Sequence, residues 1–301
     1  MWRAGSGRTT MGMKEETLGS PAGWRQALEL AAKNGLPREP TLFLGSGSSY
    51  FLAQVAAHLS RLEGRLALAL PSAEAMLFPE VARYFSVVVG ISRSGRTTEL
   101  LRAVERLGLP AWLLTTRKEV EGPFTRVVVL SEAREEAIVQ TRSFSSAFLY
   151  LVYALTGEER LKELPERFIA ELDGESSRFP TGARYFFLGS GAAWGVAQEA
   201  ALKLKEAALA WAEAFQSLEF RHGPKSLVDG DTVIFLLESH PLEEDLAREL
   251  QALGAKVVRL PGTLPELPLS LARLQLFAHH LALLRGLDPD HPRHLTYAVE
   301  I

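Results

Sequence analysis

The chain has 301 residues, with 33 Lys and Arg against 36 Asp and Glu, and a formal charge of −3. That balance leaves no basic footprint for bulk nucleic-acid binding, and the absence of cysteine excludes disulfides, thiolate catalysis and zinc–thiolate sites together. Hydrophobic residues make up 47%, enough to bury sheets in one large domain or two of about 150 residues.

Met1 to Ser20 is polar and glycine-rich, with no signal-peptide pattern. No apolar run reaches the roughly 18 residues that span a bilayer, so the reading is a cytosolic (cytoplasmic) protein without a membrane partner. Residues 1–21 read as an N-terminal tail, and 22–34 as a short amphipathic helix. Strands and helices then alternate: strand 41–45, helix 49–62, strand 65–70, strand 86–91, helix 97–107, strand 111–115, strand 127–131 and helix 142–156. Runs such as Val87-Val88-Val89 and Val127-Val128-Val129-Leu130 are buried-strand signals. Residues 158–182 hold a charged helix and a Gly/Pro turn. The order then repeats: strand 185–189, helix 193–211, strand 232–237, helix 241–253, strand 256–260 and helix 266–285. Such alternation predicts parallel sheets covered by helices on both faces. The boundaries are 22–160 for the first half, 161–183 for a linker and 184–301 for the second half. The tail from Leu287 reads as ordered, because prolines and paired charges interrupt an apolar run. A single Asn (Asn34) and eight Lys among 33 basic residues fit a thermophilic source; a GC-rich genome biases codons toward Arg and Ala as well.

The chain carries a near-copy of itself. Phe43-Leu44-Gly45-Ser46-Gly47-Ser48 returns 144 residues later as Phe187-Leu188-Gly189-Ser190-Gly191-Ala192. Each copy is a strand, a tight loop and a helix N-terminus, where exposed N–H groups and the helix dipole favour anions. The first loop keeps hydroxyls at Ser46, Ser48 and Ser49; the second has Ser190 and then Ala192 and Ala193. A second hydroxyl-rich loop, Ser92-Arg93-Ser94-Gly95-Arg96-Thr97, follows strand 86–91. Ligands of doubly wound sheets bind beyond the carboxyl ends of the strands, so these two loops converge on one phosphate. Ser and Thr also cap helices routinely, and one such loop alone decides nothing. The helix 193–211 carries Glu199, Lys203 and Glu206 among apolar neighbours. An intrahelical ion pair explains Lys203 and Glu206, which are three apart; so does a functional role for charge on a buried face. His222 precedes Gly223-Pro224 and is flanked by Arg221 and Lys225, a poor core environment and a good one for an anionic ligand. His279, His280, His291 and His294 lack the spacing of a metal site, so no metal is expected.

These residues resemble the sugar isomerase (SIS) domain pair of glucosamine-6-phosphate synthase, without its N-terminal glutaminase domain. The likeness runs from about Met13 to Glu300. It rests on Gly47-Ser48-Ser49-Tyr50, Ser92-Arg93-Ser94-Gly95-Arg96-Thr97, Glu199-Ala200-Ala201-Leu202-Lys203-Leu204-Lys205-Glu206, His222-Gly223-Pro224 and Asp288-Pro289-Asp290-His291-Pro292-Arg293. The implied fold is α/β: two tandem SIS subdomains, each a mostly parallel doubly wound sheet of flavodoxin-like or Rossmann-like type. The resemblance implies that Ser49, Ser92, Ser94 and Thr97 hold a phosphate, with Gly47, Ser48 and Arg93 in the same loops. It implies that Glu206 moves a proton between C1 and C2, and that His222 helps open the sugar ring from a neighbouring subunit, giving a homodimer with a composite site. Lys203 matches a family active-site lysine, and Arg293 its C-terminal arginine. Where the synthase has an imine-forming lysine, this chain has Tyr297, and a phenol forms no imine. The segment 135–144, which contains Gln140 as a further candidate substrate contact, looks more like the stand-alone deaminases and ketose–aldose isomerases of the superfamily.

The reading is therefore a sugar-phosphate isomerase or deaminase, like glucosamine-6-phosphate deaminase, that needs no metal or organic cofactor. A fructosamine-6-phosphate deglycase is a close rival. A non-catalytic sugar-phosphate sensor is a rival of another class, although sensors of this kind carry a helix-turn-helix for which this N-terminus is too short, and have no need of Glu206 and His222.

Overall fold

The computed structural model describes residues 12–172 and 178–298. The first sheet is built from β1 (Thr41–Gly45), β2 (Ala67–Pro71), β3 (Val87–Ile91), β4 (Ala111–Thr115) and β5 (Arg126–Val129). They lie in the order β2-β1-β3-β4-β5, all parallel. The second sheet contains β6 (Arg184–Gly189), β7 (Trp211–Gln216), β8 (Thr232–Glu238) and β9 (Lys256–Pro261), in the order β7-β6-β8-β9 and again parallel. Each sheet starts from its glycine-ended strand and steps outward in the same way, so the sequence repeat is also a repeat of topology.

The helices are α1 (Met13–Leu18), α2 (Ser20–Asn34), α3 (Ser48–Leu62), α4 (Ser72–Leu77), α5 (Thr98–Leu107), α6 (Arg142–Thr156), α7 (Leu164–Glu171), α8 (Ala192–Ala208), α9 (Leu242–Ala252) and α10 (Leu267–Leu284). Strand alternation distributes the apolar side chains to both faces of each sheet. Phe43 and Val89 of the first sheet, and Tyr185, Phe187 and Phe235 of the second, join one central core with α3, α6, α8 and α10. Leu42, Leu44 and Val88 face the other way onto α5. Phe186, Leu188 and Ile234 do the same onto α9. The central strands β1 and β3 are buried along their whole length, as continuous apolar runs require.

The structure departs from the sequence reading at three places. The helix expected through 211 ends at Ala208. Leu209 turns there with φ 49°, Arg285 Nη1 donates to the Ala208 carbonyl at 3.0 Å, and the next six residues pair with β6 as the edge strand β7. Trp211-Ala-Glu-Ala-Phe-Gln has no period that separates it from the preceding helix; only the free edge of β6 makes it a strand. The expected tail 1–21 is helical from Met13; residues 1–11 lie outside the described ones. Thirdly, α10 is long and apolar enough to cross a membrane by length and composition, although no such run was expected, but most of it is buried inside the fold. The linker 161–183 contains α7, which packs on α2; Arg167 in it forks onto Glu266 at 2.8 and 3.0 Å.

The two halves meet where α3 crosses α8. Gln198 Nε2 donates to Gln54 Oε1 at 2.6 Å, between residues that are themselves 144 apart. Gly195 permits the close approach: a Cβ there would lie 2.4 Å from Val55 Cγ2 and 3.0 Å from the Phe51 carbonyl oxygen. The N-terminus is tied in by two carboxylates. Asp290 Oδ1 accepts from Met13 N at 2.7 Å. The buried Glu16 accepts from Glu136 N at 2.6 Å and Ala137 N at 3.4 Å. Burial, followed by the charge of Glu135, pushes the Glu16 carboxyl up to about 7.

Two stability outcomes follow. Gly195→Ala overpacks the α3–α8 crossing and is expected to cost about 1–3 kcal/mol in urea unfolding; an unchanged midpoint would show that the crossing can shift without strain. Glu16 holds its proton more tightly folded than unfolded, so its contribution is intact below its ordinary value of 4.5 and is lost as pH rises through about 7. Glu16→Gln keeps an acceptor oxygen for the loop N–H groups and removes the titration. Its urea midpoint is therefore expected to gain on wild type between about pH 5 and about pH 8. A pH-independent difference would mean that Glu16 is not the titrating group.

Candidate active site

Parallel pairing of β1 with β3 puts their two following loops side by side at the carboxyl end of the first sheet, where doubly wound sheets bind ligands. After β1, Gly47 adopts φ 55°, a conformation that favours glycine, and turns the chain into α3. Ser49 N and Tyr50 N fold back onto the carbonyls of Ser46 (3.2 Å) and Gly47 (2.9 Å), so the first turn of a 15-residue helix opens on the cleft. After β3, the Ser92 and Thr97 hydroxyls lie 3.1 Å apart. Ser92 Oγ also accepts from Gly95 N at 3.1 Å, and Ser94 Oγ from Arg96 N at 3.2 Å. The loop hydroxyls are thus held in place by the loop's own backbone.

The opposite wall comes from α8 in the second half. Leu202 and Glu206, one turn apart, line the same cleft as Ser46, Gly47, Ser48, Ser49, Ser92, Ser94 and Thr97. Lys203 lies fully buried behind them, 2.6 Å from Glu206 Oε2 and 3.2 Å from Glu199 Oε1. It also reaches Ser48 Oγ at 3.5 Å. Burial opposes the Lys203 charge, but the two carboxylates outweigh it and the pKa is raised. Burial pushes Glu199 up to about 7 against the opposing pull of Lys203, with Glu206 adding repulsion. One ammonium is therefore shared between two carboxylates. Glu199 is fully buried, and Glu206, with a side chain 19% exposed, is the one that opens to the cleft. The intrahelical ion pair read from the sequence is present, with Glu199 as its third member.

Gln140 and Tyr297 complete the cleft, together with Ile138, Leu295 and Thr296. Arg93 lines it too, but its guanidinium is engaged with the carbonyls of Ala137 (2.9 Å), Ile138 (3.0 Å) and Tyr297 (2.8 Å). In this structure the two terminal nitrogens of Arg93, a candidate phosphate contact, thus serve carbonyls of the cleft wall. Two further candidates are not brought in. His222 is exposed on a turn outside the cleft, and its neighbours Arg221 and Lys225 are both paired with Glu249, so they do not form the free cationic surround expected from the sequence. Arg293 is exposed and also outside the cleft. In the second glycine loop, Ser190 donates to the buried Glu243 at 2.8 Å, and Glu243 further accepts from Ser239 N (2.6 Å) and His240 N (2.9 Å). A carboxylate of the chain itself thus takes up the one side-chain hydroxyl of this loop. Of the lining residues that sequence reasoning passed over, Leu202 stands one helical turn before Glu206, a signal that was there to use; Ile138 carries none.

Comparison with known proteins finds relatives of this fold. The SIS domain family matches residues 182–260. In sequence, the chain is 24% identical to a glutamine–fructose-6-phosphate aminotransferase (isomerizing) of Sulfurisphaera tokodaii, with 87% of this chain covered. It spans about half the length of the curated relatives it matches, 50% in that case. Among solved structures, glucosamine-6-phosphate deaminase from Thermotoga maritima is 28% identical with a TM-score of 0.77, covering 94% of this chain and 99% of that one. Tagatose-6-phosphate ketose/aldose isomerase from Escherichia coli shares the fold, with a TM-score of 0.79 at 21% identity over 96% and 98% of the two chains. Residues 182–260 thus match the SIS domain family, and most of the chain is similar to an isomerizing glutamine–fructose-6-phosphate aminotransferase and to a glucosamine-6-phosphate deaminase.

Proposed function

We propose that this chain is a phosphosugar isomerase or deaminase acting on a hexose 6-phosphate or amino-sugar 6-phosphate, of the glucosamine-6-phosphate deaminase type. The observation that carries the reading is one cleft that joins the hydroxyl loops of the first sheet to Glu206 of α8. Ser49, Ser92, Ser94 and Thr97, with Gly47 and Ser48, bind the phosphate by neutral donors, so the product can leave. Each sheet with its helices is one SIS subdomain, over 22–160 and 184–301. The second glycine loop has no phosphate role in this reading, because its one side-chain hydroxyl, Ser190, already donates to Glu243.

With the sugar in its open form, Glu206 takes the acidic C2 proton and returns it at C1, the work of a positioned general base. For an amino sugar this leaves an imine at C2, which water hydrolyses to the ketose and ammonia; for a plain hexose it leaves the ketose itself. Lys203 keeps its charge beside Glu206 and stabilises the developing oxyanion from behind the cleft wall. Ring opening falls to His222, which stands outside its own cleft and serves the site of a second copy in a homodimer. Gln140 and Tyr297 contact the sugar, with Arg293 as a further candidate substrate contact.

The test is to supply glucosamine 6-phosphate and measure ammonia and ketose together; binding without either product would favour the sensor. Glu206→Gln is expected to lose about 10²–10⁴ in turnover while binding within a few-fold of wild type, and retained turnover would reduce Glu206 to an ion-pair partner. Borohydride with fructose 6-phosphate is expected to trap no adduct, because Tyr297 has no amine and Lys203 is held charged between Glu199 and Glu206. A reducible adduct on the unmodified chain would overturn that assignment.

A further inference from the structure

Arg93 belongs to the hydroxyl loop 92–97, yet its side chain, 5% exposed, serves two other stretches of chain. Nη1 donates to Ala137 and Ile138 and lies 3.4 Å from Glu135 Oε1. Nη2 donates to the Tyr297 carbonyl at 2.8 Å, and the guanidinium stacks 4.0 Å from the centroid of the Tyr297 ring. The Tyr297 hydroxyl closes the circuit by donating to the Glu135 carbonyl at 3.2 Å. The backbone of Arg93 is equally fixed, its carbonyl accepting from Thr115 Oγ1 (3.1 Å) and Thr116 Oγ1 (3.0 Å). Three separate segments, 92–97, 135–140 and 295–298, thus meet at one planar cation, and each supplies lining to the cleft. A guanidinium can feed carbonyls in two directions and stack on a ring at once; an ammonium has no plane to do so.

We propose that Arg93 is a positioning residue that fixes the 135–140 wall and the Tyr297 wall at a set distance from the hydroxyl loop. Tyr297 is the piece that closes the cleft, so the pair determines which sugar fits beyond the phosphate. The proposal rests on the phosphosugar reading of the cleft, and its test separates the two.

The full chain is compared with Arg93→Gln, Arg93→Lys, Tyr297→Leu and Tyr297→Phe. Affinities for inorganic phosphate and for glucosamine 6-phosphate are read by calorimetry, and hydrogen exchange is followed in 136–140 and 295–298. Phosphate affinity is expected to stay within about threefold throughout, because the loop hydroxyls are untouched. Glucosamine 6-phosphate affinity is expected to fall about tenfold in Arg93→Gln, Arg93→Lys and Tyr297→Leu. Tyr297→Phe, which keeps the ring face and loses only the hydroxyl's bond to the Glu135 carbonyl, is expected to fall by less than Tyr297→Leu. Exchange rises in both segments together in Arg93→Gln. Equal loss of both ligands in the Arg93 variants would make Arg93 a phosphate ligand and overturn the proposal. So would wild-type glucosamine 6-phosphate affinity in Tyr297→Leu, or exchange that rises in one segment or neither. If wild type binds neither ligand, the phosphosugar reading fails, and the exchange result still decides the clamp. Should Arg93→Gln not fold, the contrast between Tyr297→Leu and Tyr297→Phe decides it.

Discussion

The crossing of α3 on α8 is the contact on which the rest depends. α3 begins at the hydroxyl loop of the first sheet; α8 carries Glu199, Lys203 and Glu206 from the second half. Without a Cβ at Gly195 the two axes can come close enough for Lys203 to reach Ser48 across the halves. The site is therefore a property of the crossing: neither half holds both the hydroxyl loops and the carboxylates.

The crossing also explains why charge is tolerated in the core. A lone ammonium at full burial would shed its proton. Two carboxylates on the same helix, one turn before and one turn after, hold it charged, while burial raises Glu199 to about 7. Glu206 is left at the cleft with a cation behind it. The halves differ most plainly here. At the positions of Glu199, Lys203 and Glu206, 144 residues earlier, α3 carries Val55, Leu59 and Leu62. Beside the second loop, Glu243 takes up the Ser190 hydroxyl, and α3 presents His58 and Arg61 near Gly191.

Much of this was legible. The strand-loop-helix repeat, the two hydroxyl loops and the carboxylate-lysine spacing all depend on local periodicity and on the identity of a few residues, which a sequence states directly. Glycine at 47 and 191, with positive φ in both, marks the same turn twice. What was not legible depends on partners distant in sequence. Trp211–Gln216 is a strand because β6 offers an unpaired edge. Arg93 stands in the hydroxyl loop as a candidate substrate contact, but the carbonyls it serves lie about forty and two hundred residues away. Arg221 and Lys225 read as free cations until Glu249 is folded against them.

The sequence by itself determined the α/β class, the duplicated half, the loops that line the cleft and the residue types available for proton transfer, because each of these is fixed by short-range pattern and by chemistry that side chains carry with them. The tertiary structure alone decided that Glu243 takes up the Ser190 hydroxyl, that Lys203 shares its charge with Glu199 as well as Glu206, and that Arg93 bonds to two walls of the cleft. Each of those outcomes turns on which groups are buried against one another, and burial sets the strength of every charge and hydrogen bond in the cleft.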